Sequence, residues 1–354
     1  MKIILCCSVL SVLITCYSGC TRNEVVSEPI LPGDPFEVQA WDYSTSHYFV
    51  DSTYTRFYEI YYVNEPPVVT VDMQQNQIVD IEVWAEYIGI DPIQIANAIQ
   101  AIAYVSLPAR GNGYSPSLRR GLVTAGNVET GRVIRLHPWE FALRGDGYLG
   151  MLSLEGSVLD QRVYAIAYRR ANGDQFGEFL RNVPAESLAA GMPIILKMVK
   201  PRNLLSNGSN YPVAWRQLVK SIYSLRLYNV ERRDFVLDVF RRLPDGRMGQ
   251  TILGTPLLRV LMLDRFTPDG VPAPEGDGLF DFRPGRTIDP NRGEIIFPWL
   301  RPFDGGIKYF FASKGITLDD TITFLFPQIY DTTRTFAQLS PRNKYLIKGR
   351  AFHN

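Results

Sequence analysis

Short apolar runs cut apart by turn residues constrain this chain more than any other feature, and residues 277–298 show the pattern at its densest. The stretch reads DGLFDFRPGRTIDPNRGEIIFP. Gly278, Pro284-Gly285, Asp289-Pro290 and Gly293 punctuate the runs 279–282 and 294–297, a spacing that predicts short antiparallel strands with tight connections. Tyr and Phe, 19 of each against 3 His and 4 Cys, add strand-favouring residues along the whole length. The expected fold is mainly β: two antiparallel β-sandwich-like domains with short helical insertions.

The N-terminus opens with Lys2, runs through an apolar stretch over 3–14 and reaches Tyr17-Ser18-Gly19-Cys20, the order of a secretory signal that ends in a lipoprotein cleavage box. The apolar stretch is too short to cross a hydrocarbon core of roughly 30 Å as a helix. Residues 1–19 therefore read as a removable signal peptide and Cys20 as an acylated lipid anchor, although Tyr17 stands where such a box usually carries a small branched residue. Residues 20–35, rich in charge, Pro and Gly, read as a tether from the lipid to the first domain.

All four cysteines, Cys6, Cys7, Cys16 and Cys20, lie in this leader. The body then has no thiol for a disulfide framework, a cysteine-ligated zinc site or a cysteine nucleophile. Lys2 is the leader's one charge, so the 37 basic and 36 acidic residues of the whole chain leave the body formally neutral. That balance argues against a nucleic-acid surface, and Arg169-Arg170, Arg232-Arg233 and Arg241-Arg242 read as solvated strand ends.

Two β-rich regions are expected, 36–140 and 141–354. In the first, strands are read at 58–63, 68–71 and 78–87, with Val79, Ile81, Val83 and Ala85 sharing one face. Asp91 and Pro92 mark a helix start, with Ile95, Ile99 and Ile102 at helical spacing. Residues 110–132 read as a long loop. In the second, two hairpins are read over 141–170 and a third at Asn172-Gly173-Asp174, followed by a short amphipathic helix over 212–224, where Trp215, Leu218, Val219 and Ile222 recur at helical spacing behind Asn210 and Pro212. Strands are read at 234–240, 257–263, 295–298, 307–311, 321–326 and 345–351.

Six ordered blocks carry a resemblance. They are VDIEVWAEY (79–87), FALRGDGYLGMLSLEGSVLDQRVYAIAYR (141–169), WRQLVKSIYSLRLYNVERRDFVLDVF (215–240), GTPLLRVLMLDRFTPDG (254–270), DGLFDFRPGRTIDPNRGEIIFPWLRPF (277–303) and IYDTTRTFAQLSPRNKYLIKGRA (329–351). Together they resemble the SprA/Sov family, the outer-membrane translocon of the type IX secretion and gliding-motility system. The resemblance implies a part in moving folded proteins across the outer membrane. A barrel of about 36 strands, the largest on record, needs far more sequence than this, so the expectation is a soluble N-terminal region without the channel: either a short lipoprotein relative or one piece of a split gene. Its expected partners are the outer membrane through the lipid anchor and other secretion-system proteins or a separately encoded translocon barrel.

Catalytic chemistry has few carriers. His47, His137 and His353 have no second ligand at metal spacing; His47 is expected to be exposed, His137 to pack in a loop and His353 to lie at a frayed end. The carboxylate pairs Asp277/Asp281, Asp264/Asp269 and Asp319-Asp320 have the residue types for glycoside hydrolysis, yet Asp269 and Asp277 sit directly beside Gly or Pro, and these acids read as bonded to turn backbone. Asp269, Glu275 and Asp277 fail the spacing of a calcium loop. No cofactor, metal or catalytic residue is assigned, and the chain is expected not to be an enzyme. The alternative is a surface lipoprotein with a carbohydrate-binding β-sandwich, its platform drawn from Trp41, Tyr43, Tyr48, Tyr54, Tyr58 and Trp84.

Overall fold

A computed structural model describes residues 33–121, 127–204, 210–317 and 321–353; Cys20 and the leader, and Asp319-Asp320, lie outside them. Strand is the commoner regular state, 29% against 24% helix. The strands in chain order are β1 (Asp34–Gln39), β2 (His47–Phe49), β3 (Ile78–Glu86), β4 (Ile99–Tyr104), β5 (Val128–Arg135), β6 (Phe141–Arg144), β7 (Met151–Leu154), β8 (Tyr164–Arg170), β9 (Gln175–Phe176) and β10 (Ile194–Lys200). They are followed by β11 (Ile222–Ser224), β12 (Val236–Arg242), β13 (Met248–Gly249), β14 (Thr251–Ile252), β15 (Thr255–Pro256), β16 (Ile288–Asp289), β17 (Glu294–Ile296) and β18 (Tyr345–Ala351).

Five strands close into a small barrel. Around the ring, β4 pairs with β5, β5 with β3, β3 with β8 and β8 with β10, all antiparallel, and β10 returns to β4 in parallel. A barrel this narrow has room only for side chains. Trp84 fills it among Ala101, Ala103, Ala165, Ala167, Leu196 and Met198, with Trp84 opposite Ala165 in register. One large ring surrounded by alanines is how a tight interior reaches close packing. The opposite strand faces, with Val83, Ala85, Ile166, Tyr168 and Val199, join the main core. Val79, expected on that face, is 53% exposed, because the β3–β8 register shifts between Ile78 and Asp80.

The other sheets are small. The four-stranded sheet runs β1-β18-β12-β13, and β11-β17-β16 and β2-β7-β6 each have three strands. The expected regions 36–140 and 141–354 share structure: the barrel draws β3, β4 and β5 from one and β8 and β10 from the other, and β1 pairs with β18 residue by residue from Asp34↔Ala351 to Gln39↔Leu346. All described residues fall in one compact unit.

Several expected strands are helices. Residues 58–63 belong to the helix Thr55–Val63, 257–263 begin with the helix Leu257–Val260, and 307–311 lie in the helix Ile307–Ser313. Tyr54, at the N-cap of the first, and Tyr58 and Tyr62 within it recur at four-residue steps and are all buried, so one packed face overrides the strand preference of the individual residues. Neither 68–71 nor 321–326 is strand. The expected helix over 212–224 stops at Gln217, after which Ile222–Ser224 pairs with β17. Asp91 does cap a helix, accepting the Ile93 N–H at 2.9 Å, but that helix ends at Asn97 and Ile99 and Ile102 enter β4.

Candidate functional site

Residues 263–287 wind into turns whose backbone amides are taken up by three acids. Asp264 accepts the N–H groups of Asp277 at 2.9 Å and Gly278 at 3.1 Å. Asp277 accepts that of Leu279 at 2.9 Å, and Asp281 those of Arg265 at 2.7 Å and Phe266 at 3.2 Å. Short acidic side chains bonded this way replace the ladder partners the irregular backbone lacks. Burial raises Asp264 above the ordinary carboxylate range and takes Asp281 up to about 6, against the lowering pull of the amides each accepts. Gly276 has φ +70°, and a Cβ there would lie 2.3 Å from Asp264 Oδ2, so the turn requires glycine. The run 279–282 is consequently irregular rather than a strand, and of the two expected strands only 294–296 forms.

On this base stands an open groove of about 490 Å³. Phe235 reaches into it from the chain just before β12, with the ring of Phe280 at 5.4 Å and that of Phe282 at 5.1 Å, the latter edge-on. Phe266 forms another wall and carries the Arg283 guanidinium 4.1 Å above its ring. Arg232 and Leu279 stand at the rim, Leu279 with 59% of its surface exposed. The groove is braced from behind. Arg286 donates to the carbonyls of Tyr61 at 2.9 Å and Asn64 at 2.8 Å, and Arg265 to that of Val63 at 2.7 Å, so two cations satisfy the carboxyl end of the helix Thr55–Val63. Glu65 holds Arg283 at 2.9 Å and Arg286 at 3.5 Å. A hydrogen-bonded polar frame thus presents an apolar surface to solvent.

A second constellation lies in the core. His47, expected to be exposed, is fully buried, because β2 is the outer strand beside β7 and is covered in turn by Leu218 and Val219. Its Nδ1 lies 2.8 Å from Ser153 Oγ and its Nε2 2.9 Å from Glu294 Oε1. Arg144 donates to Ser153 Oγ at 2.8 Å and also pairs with Asp289, while Arg292 donates to Glu294 at 2.8 Å. Burial lowers His47 and outweighs the opposing pull of Glu294. The neutral ring then donates from Nε2 to the carboxylate and accepts the Ser153 hydroxyl at Nδ1, which leaves every member partnered. Burial alone would raise Glu294, but His47 and Arg292 together bring it down to about 2. Serine, histidine and carboxylate stand in the order of a nucleophile, its base and an orienting acid. Ser153 and His47 nevertheless have no accessible surface, so no substrate atom reaches either one.

The remaining candidates disperse. Tyr43, Tyr48, Tyr54, Tyr58 and Trp84 are buried and Trp41 packs against the core, so they do not form an exposed ring platform. His137 stacks on Trp139 at 4.3 Å, and His353 is tied to Asp34 at 2.9 Å. Glu275 turns to Arg259 at 2.5 Å, and among the described residues no three His, Cys, Asp or Glu side chains are grouped to hold a metal ion. Two of the arginines read as solvated are inside: Arg170 lies 4.6 Å above the Phe176 ring and Arg241 4.3 Å above that of Phe324. Their long stems pack on aromatic surface, which a charge count does not reveal. No described helix is long and apolar enough to cross a membrane.

Sequence reasoning missed Ser153, Glu294, Arg144 and Arg292 as partners of His47, and Phe235 and Arg232 as parts of the groove. Phe280 and Phe282, two residues apart in a Gly-bounded run, were the available signal for the groove. No protein-family model and no curated protein matches the chain.

Proposed function

We propose that the chain is a non-enzymatic docking component related to the SprA translocon of the type IX secretion and gliding-motility system. It is exported, held at the outer membrane through acyl chains on Cys20, and binds other secretion-system proteins or a separately encoded translocon barrel. The observation that carries this reading is the groove around Phe235, Phe280 and Phe282: it is open, aromatic and braced from beneath, and its lining comes from three of the blocks that carry the resemblance, 215–240, 254–270 and 277–303. Rigid aromatic surface with an arginine rim is what protein partners use as anchoring surface. The buried state of Ser153 and His47 supports a binding role over a hydrolytic one.

The β-sandwich-like packing belongs to the same reading. Leu237 and Val239 of β12 and Ile347 of β18 share a core with Ile222 of β11 and Ile295 of β17, as two sheets facing one another would.

The test is co-isolation. The tagged mature chain, extracted with detergent from outer membranes, is expected to bring down secretion-system components, and Leu279→Asp is expected to lose them while melting at an unchanged temperature. Reproducible absence of such components with the unaltered chain sinks the proposal. A glycan-binding reading keeps one observation in its favour: Tyr228, 66% exposed, borders a polar pocket of about 270 Å³ with Asp42, Glu155 and Arg226. Glycan-array binding abolished by Tyr228→Ala would decide for it.

A further inference from the structure

A separate pocket of about 290 Å³ lies on the outer side of the barrel, beside the start of β10. The β4–β5 connection folds back here, bringing Arg110 and Arg119 to Glu178, which follows β9. Glu178 is buried and fully used: it accepts the Ile195 N–H at 3.0 Å and the Arg119 guanidinium at 2.5 Å. Arg110 is different. Its Nε stands 3.9 Å from Glu178, too far for a hydrogen bond, and is buried without a partner; no other hydrogen bond to its guanidinium exists among the described residues. A guanidinium presents a planar fork of donors matched to an oxyanion, and this one is held in a pocket wall with 31% of its side chain exposed.

Across from it the pocket offers the Asn182 amide and the Ser187 hydroxyl, neither bonded among the described residues, and an apolar side formed by Val183 and Met192. We propose that this pocket binds a small monocarboxylate with a short apolar body, its carboxylate forked on Arg110 and its body laid against Val183 and Met192. Charge decides between oxyanions. Two arginines against one glutamate leave a single positive charge, which a monocarboxylate neutralises. A phosphate dianion would leave an uncompensated negative charge next to Glu178, a costly arrangement in a partly desolvated site. The proposal does not rest on the docking role or on the groove, which lies in a different part of the chain.

Calorimetric titration of the full chain with hexanoate, hexanol and inorganic phosphate tests it. Saturable binding of hexanoate is expected, with no saturation by hexanol and weaker or no binding of phosphate. Arg110→Met, which keeps the stem and removes an unbonded head, is expected to melt like the parent and to weaken hexanoate by about tenfold or more, the value of a charged hydrogen bond. Asn182→Ala, at an exposed position, is expected to give a smaller loss and serves as the second variant if Arg110→Met does not fold. Failure of hexanoate to saturate, equal binding by hexanol, tighter binding of phosphate, or undiminished affinity in both variants each overturns the assignment.

Discussion

The groove at 263–287 and the cluster at His47 are built from the same materials, acids and arginines on irregular or edge backbone, and put them to opposite uses. Around His47 the charges face one another, and the histidine and Ser153 are sealed in, although Arg292 and Glu294 also border the polar pocket beside Tyr228. At the groove the acids point down into turn amides and the arginines cap a helix end, so the charges make a frame and the aromatic side chains are left outside it. The difference lies in what each carboxylate accepts from: Glu294 accepts from side chains, the neighbouring Arg292 and the distant His47, and Asp264 and Asp281 from backbone amides within 16 residues. A polar group bonded to side chains closes a site, whereas one bonded to local backbone shapes a surface.

The comparison breaks most visibly at Glu294. Removing this carboxylate by Glu294→Ala leaves Arg292 with Glu155 at 2.5 Å but takes the acceptor from the buried His47 Nε2, and an unsatisfied buried donor together with a lost charged hydrogen bond costs about 2–3 kcal/mol. Urea unfolding measures it; a loss below about 1 kcal/mol would mean that the cluster is hydrated and open. Gly276→Ala is the matching test at the groove. It forces a side chain into the left-handed region, about 1–2 kcal/mol, and drives a Cβ against Asp264, for an expected total of about 2 kcal/mol with loss of docking. Equal stability would show that the turn is not rigid.

How far the sequence foretold these two places follows from the same distinction. The groove is local in sequence, so its turn residues, Gly276 and Gly278 with Asp264, Asp277 and Asp281, are legible as turn chemistry. So are Tyr345–Ala351, which open on the apolar run Tyr345-Leu346-Ile347 after a loop, and the cap at Asp91. The His47 cluster spans 106 residues to Ser153 and 247 to Glu294, and no local pattern encodes such a meeting. The helix Thr55–Val63 is illegible for another reason: all but Arg56 and Glu59 prefer strand, and the recurrence of Tyr54, Tyr58 and Tyr62 on one buried face is what betrays it. The barrel likewise depends on a parallel β4–β10 pair formed across 90 intervening residues or more, a contact that patterning cannot supply.

The two regions also differ in the sign of their response to pH. Asp281 holds a proton in the fold up to about 6, whereas the unfolded chain releases it near 3.8; its contribution is complete below the lower value and disappears as pH rises through the upper one. His47 is lowered from 6.5, so its contribution is complete above 6.5 and falls away as pH drops, when the unfolded chain takes up a proton that the fold refuses. Between pH 4 and 6 the groove therefore favours the acid side and the cluster the neutral side. Asp281→Asn is expected to steepen the rise of stability with pH across that window by about 1 kcal/mol, after discounting for partial solvation. Parallel curves for parent and variant would remove Asp281 from the account.

Arg232→Glu should give the smallest change in stability and the sharpest test of what the groove is for. Arg232 is exposed, and among the described residues its side chain's one hydrogen bond is to the Pro268 carbonyl at 2.7 Å, so reversal of its charge is expected to shift unfolding by less than about 0.5 kcal/mol. A rim charge acts on encounter and on the choice of partner rather than on the fold. If the groove receives a protein partner, this variant keeps its melting temperature and loses co-isolated partner in a salt-dependent way, with the deficit shrinking as ionic strength rises and masks the charge. Retention of the partner at every salt concentration would confine recognition to the aromatic floor, and Phe235→Ala would then have to abolish it.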